Sequence, residues 1–167
     1  MARDELSDRE RLQPSLLDRL TDNSPGTKKD SASERYIDVR RLRDIILRDL
    51  AWLLNTSNNE DLIPAEEYPY ASKSTLNYGI SDIAGRKVAL TDAAKLESAI
   101  QDAVYALEPR IIPGTLDVRT AGDGESNQAQ ILMDIRGELW ATPVPLELHL
   151  RTKLNVTDGE IEIDKVR

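Results

Sequence analysis

The sequence predicts an α+β domain in which amphipathic helices pack on one face of a small antiparallel β-meander. Three observations predict it. Apolar residues recur at helical spacing in two segments, 38–54 and 91–107. Beyond Pro109 the apolar period drops from 3.6 to 2 and stays there to the end of the chain. An Asp-Gly pair at 158–159 separates the last two alternating runs, a strong short-range hairpin signal. Helices followed by a run of strands, rather than alternating with them, make layers of helix on antiparallel sheet.

The elements follow in order. Residues 1–20 are charged but carry one apolar cluster, Leu16, Leu17 and Leu20, just after Pro14. Proline suits the first turn of a helix, and these leucines share one face. So short a helix is unstable alone in water, which makes 1–20 an N-terminal docking segment. Residues 21–35, "TDNSPGTKKDSASER", read as a flexible polar linker. A single α+β domain then fills 36–167. Its first helix, 38–54, has Val39, Leu42, Ile46, Leu50 and Leu53 on one side. Gly79 and Gly85 mark turns in the stretch that follows, and Thr91 stands as the cap of a second helix ended by Pro109.

Leu116 and Val118 open the strand pattern, and "AGDGESN" (121–127) reads as a hairpin loop. The next strand puts Ala129, Ile131, Met133 and Ile135 on one face, with Leu132 breaking the polarity of the other. In "LELHLRTKLNV", Leu146, Leu148, Leu150, Leu154 and Val156 oppose Glu147, His149, Arg151, Lys153 and Asn155. A short last strand around Ile161 and Ile163, rich in acids, reads as a blunted sheet edge.

Composition narrows the function. With 40% hydrophobic and 31% charged residues the chain fits a soluble globular protein. The start is charged from its third residue and has no apolar core of a secretory signal. No run is long enough to cross a bilayer, so no membrane insertion is expected. A net charge of −8 argues against nucleic acid. The basic cluster Arg40, Arg41, Arg43 and Arg48 is diluted by Asp38, Asp44 and Asp49 and reads as a solvated helix face.

Catalytic inventories are poor. The single histidine, His149, lies on a polar strand face without a nucleophile elbow, and the absence of cysteine removes thiolate chemistry. "AGDGES" lacks the lysine and helix of a phosphate loop, and carboxylates alone give no calcium-loop pattern. No cofactor or metal is expected. Glu108 is the one candidate acid of a lysozyme-like, cell-wall-cleaving hydrolase, but Arg110 two residues on favours its charged form, whereas a general acid must hold a proton.

Glu108, Pro109 and Arg110 form the corner between the second helix and the first strand. Residues i and i+2 of an extended segment point the same way. Glu108 and Arg110 therefore read either as a plain surface ion pair or as a rigid docking patch held by Pro109.

A Glu-Pro-Arg tripeptide at a helix end followed by an apolar strand resembles the signature of the baseplate-wedge family of contractile phage tails. "PSLLDRL" (14–20), "RDLAWLLNT" (48–56), "STLNYGISDIAG" (74–85), "IQDAVYALEPRI" (100–111), "ILMDIRGEL" (131–139) and "VPLELHLRTKLNVTDGEIEI" (144–163) extend the likeness. It reaches the family's type VI secretion relatives, the TssE subunits. The resemblance implies a sheath-core-like domain and a structural, non-enzymatic part that joins the baseplate wedge and starts sheath polymerisation. Its implied partners are the wedge subunits TssF, TssG and TssK and the sheath subunits TssB and TssC. Its implied place is cytoplasmic, docked at the inner-membrane complex. Glu108, Pro109 and Arg110, with Leu16, Leu17 and Leu20, become partner-binding residues. A free-standing adaptor using the leucine hook is the remaining alternative.

Overall fold

A computed structural model describes residues 14–21, 25–26, 37–81, 90–120, 130–141, 145–155 and 157–165. Among them are three α-helices, α1 (Leu16–Leu20), α2 (Val39–Leu54) and α3 (Leu90–Leu107), and a 3₁₀ turn at Thr75–Asn77. Four strands follow: β1 (Asp117–Thr120), β2 (Gln130–Leu139), β3 (Leu146–Asn155) and β4 (Ile161–Lys165). The sheet is antiparallel in the order β1-β2-β3-β4, the expected meander. The linker residues 22–24 and 27–35, Tyr36, Gly85, the "AGDGESN" loop, Ala129 and Val156 lie outside the described residues.

Local chemistry sets the boundaries. The Asp38 carboxylate accepts the Arg41 amide at 2.7 Å and starts α2. At its other end the Asn55 side chain donates to Ala51 O at 2.9 Å. It also grips β4, donating to Ile161 O at 2.9 Å and accepting from Ile161 N at 2.8 Å. Helix α3 begins at Leu90, so Thr91 lies inside its first turn instead of capping it.

Register explains the core. Val118, Ile135 and Leu150 stand side by side across β1, β2 and β3, and Met133, Thr152 and Ile163 across β2, β3 and β4. Ile46, Leu50 and Leu54 of α2, with Ile100 and Val104 of α3, are buried in the same core as that sheet face. Thr152, the polar member of its strand face, is fully buried and donates its hydroxyl to Met133 O at 3.3 Å.

The opposite sheet face is polar and cross-paired. Asp134 accepts from Arg151 Nε at 3.1 Å, with Arg136 at 3.6 Å and His149 Nε2 at 3.9 Å. That face is cross-paired by charge, and His149 is half-buried in it, its Nε2 without a hydrogen-bond partner among the described residues.

The two sheet edges differ. Helix α3 hems β1: Glu97 Oε1 accepts from the Thr120 amide and hydroxyl at 2.6 and 2.7 Å, and Gln101 donates to Leu116 O at 3.1 Å. At β4, Asn55 occupies only the rung at Ile161. Backbone alternation turns the N–H and C=O groups of Ile163 and Lys165 away from β3 in the same sense.

Candidate functional site: a charge chain at the corner

The corner is welded to the sheet on both sides. Helix α3 stops at Leu107, and the Glu108 amide still donates to Val104 O at 2.9 Å. Beyond Pro109, Trp140 N donates to Arg110 O at 2.7 Å and Ile112 N to Glu138 O at 2.8 Å, around the Ile111–Leu139 bridge. The tripeptide is thereby fixed to the end of β2.

Glu108 does not project outward. It is 5% exposed, and both carboxylate oxygens are engaged by Arg110. Oε1 accepts from the Arg110 amide at 3.0 Å and from its Nε at 2.7 Å, while Oε2 accepts from Nη2. The expectation of a surface pair is therefore corrected. The apolar strand after Pro109 pulls the corner against the core, and a buried carboxylate must satisfy its lone pairs locally.

From this pair a line of alternating charges runs outward. Arg110 Nη2 donates to Asp49 Oδ2 at 2.6 Å. Asp49 Oδ1 accepts from Arg48 Nε at 3.0 Å and Nη2 at 2.7 Å. Arg48 Nη1 then reaches Asp18 Oδ1 of α1 at 2.6 Å. The Arg48 guanidinium also lies 4.9 Å from the centroid of the Trp52 ring. Three acids and two arginines are thus joined across α1, α2 and the corner.

The charges tune one another. The Arg48 guanidinium is raised above its ordinary value, foremost by its hydrogen bond to Asp18. Burial opposes the charge on Arg110, but the hydrogen bond and field of Glu108 prevail and raise it. The Tyr78 hydroxyl is pushed up by burial and then by Asp49 and Glu108. Asp18 is held below the usual carboxylate range, chiefly by the Arg48 hydrogen bond.

That last shift fixes a pH dependence. The folded state favours charged Asp18, so the α1 contact is fully present above the ordinary aspartate value of about 3.9. It is lost as pH falls through the lowered value. Acidification below about pH 4 should therefore move the α1 amide NMR signals toward unstructured positions before those of α2 and the sheet. Signals of α1 that persist until the whole domain unfolds would show that Asp18 does not carry the contact.

The predicted leucines lie beside this chain of charge, not within it. All three are exposed, Leu17 least, and Leu17 with Ser15 forms one wall of a cleft of about 400 Å³. Trp52, Tyr78, Leu107 and Pro109 face it. The structure thus brings Leu17, Glu108, Pro109 and Arg110 together and leaves Leu16 and Leu20 facing outward.

Arg48, Asp49 and Asp18 were not recognisable as site residues from the charge pattern alone. One signal was present. Asp49 falls three and four residues after Ile46 and Ile45, which sets it on the flank of the apolar stripe, turned toward whatever packs beside α2.

A sequence model of the family described as baseplate wedge protein gp25 matches residues 40–144, from the first turn of α2 past the end of β2. The chain belongs to that family. Its role is accordingly that of a structural part of a phage-tail-like baseplate, in contact with other baseplate components. The matched span includes the Glu108–Arg110 corner and stops before β3 and β4. Comparison with curated proteins gave no match, and comparison with solved structures gave none. Among the described residues no helix is long and apolar enough to cross a membrane.

Proposed function

We propose that this chain is the wedge subunit of a type VI secretion baseplate, anchored among the wedge proteins TssF, TssG and TssK, and offering a sheet edge on which the TssB/TssC sheath begins to polymerise. Membership of the baseplate wedge family carries the reading. The fold supplies two surfaces suited to it: the exposed leucines of α1 and the outward rungs of β4. Strand addition at such an edge gains affinity from backbone hydrogen bonds and selectivity from alternate side chains. The β1 edge is unsuited because α3 side chains already bond it. Work at the cytoplasmic face of the inner membrane belongs to the same proposal.

A lysozyme-like reading is disfavoured by Glu108 itself. Both of its oxygens are taken up by Arg110, so neither is offered to a substrate.

The test uses the two exposed leucines of α1 and, at half-buried Ile163, a backbone N–H on the outer side of β4. Ile163→Pro removes an N–H facing away from β3 and so preserves the β3–β4 ladder. It should abolish capture of TssB/TssC sheath and spare capture of the wedge subunits. Leu16→Glu combined with Leu20→Glu should do the reverse. Undiminished capture in both variants, with circular dichroism unchanged, would remove the proposal.

A further inference from the structure

Helix α1 is seated by charge and not by apolar burial. None of its five residues is buried, and Leu16 and Leu20 are 70% and 74% exposed. Yet the Asp18 side chain is only 8% exposed, held by Arg48 Nη1 at 2.6 Å and Nη2 at 3.3 Å. Arg48 is fixed in turn from its other side by Asp49 and by the Trp52 ring. The guanidinium is thus presented to α1 ready-made. Beneath α1 lies the cleft beside Pro109, with Ser15 and Leu17 as its N-terminal wall.

We propose that Arg48 is a clasp holding the N-terminal hook in cis over this cleft, opened by salt or by a competing carboxylate. A helix of five residues does not persist in water unaided. An ion pair between partly exposed groups contributes little and is screened by salt. What keeps α1 in place is therefore the pair together with the short tether, which gives a high effective concentration. A seat of this kind is exchangeable. The clasp concerns the chain alone, so its failure would leave the baseplate reading untouched.

The chain contains no cysteine, so Leu20→Cys accepts a single nitroxide label on an exposed position of the full-length protein. The readout is paramagnetic broadening of the Trp52 indole NMR signal. At low salt the signal should be broadened, and the broadening should disappear near 1 M salt, where the screening length is about 3 Å. Arg48→Gln should abolish it at low salt, and Arg48→Lys should keep part of it. Asp18→Asn should also abolish it; this change lies on α1 and leaves the domain's core untouched. Mixing labelled with unlabelled isotopic protein should give no transfer between chains. Broadening indifferent to salt and to both neutral variants would overturn the clasp in favour of an apolar seat. No broadening in the parent chain, or broadening only between mixed chains, would overturn it as well.

Discussion

Arg110→Met should lower the stability of the folded domain by about 2–3 kcal/mol, read as a fall in urea midpoint at constant slope. Methionine roughly keeps the side chain's bulk and removes the cation. Glu108, with a side chain only 4% exposed, then loses its bonds to Arg110 Nε and Nη2. It keeps the one from the backbone amide of residue 110. An uncompensated buried charge is the expensive outcome of breaking such a pair, typically about 3–5 kcal/mol. The figure here is lower because Arg110 is itself 25% exposed and water can reach the site. Asp49 meanwhile retains Arg48.

The consequence reaches the functional reading. A surface pair would leave the fold intact when broken, so loss of assembly could be assigned to docking. A buried strut does not permit that assignment, and for this reason the docking tests belong at Leu16, Leu20 and Ile163. An unchanged urea midpoint for Arg110→Met would restore the corner as a peripheral patch.

Much of the fold was legible because its signals are periodic and local. Leu42, Ile46, Leu50 and Leu53 had to share a helix face, and each is buried against the sheet. Leu148, Leu150 and Leu154 had to share a strand face and do so. The Asp158–Gly159 turn had to return the chain as β4, and it does.

The corner was half legible. The tripeptide stood out, but its burial depended on Ile111 pairing with Leu139, a contact 28 residues away (139 − 111) that no local pattern encodes. The Asp18–Arg48 contact spans 30 residues and crosses a polar linker. Charge patterning within α2 offered Arg48 an acid one turn away and gave no hint of Asp18. Ion pairs between distant segments are set by where the core places their backbones, so they follow from the fold and not from the pattern.

A second large effect is expected at Gly79, where Gly79→Ala should cost about 4 kcal/mol. Its φ of +118° lies where side chains are strained. A Cβ there would stand 2.2 Å from Thr56 O and 2.8 Å from Thr56 C. Relaxation is blocked by the structure itself. The same Thr56 carbonyl accepts the Ile80 amide at 2.9 Å, and Asn58 N donates back to Ile80 O at 2.9 Å. Moving the carbonyl away breaks the parallel Ser57–Ile80 bridge, and Ile80 is one of the buried core residues. The loss should appear in urea denaturation and as faster proteolysis within 57–81, the segment tied back by that bridge. Gly114→Ala is the control: its φ is +86°, but an added Cβ meets nothing within 4 Å. It should carry the backbone strain alone, about 1 kcal/mol. Equal costs at the two glycines would mean that Thr56 yields freely, and the bridge would not be what holds the 57–81 segment to the end of α2.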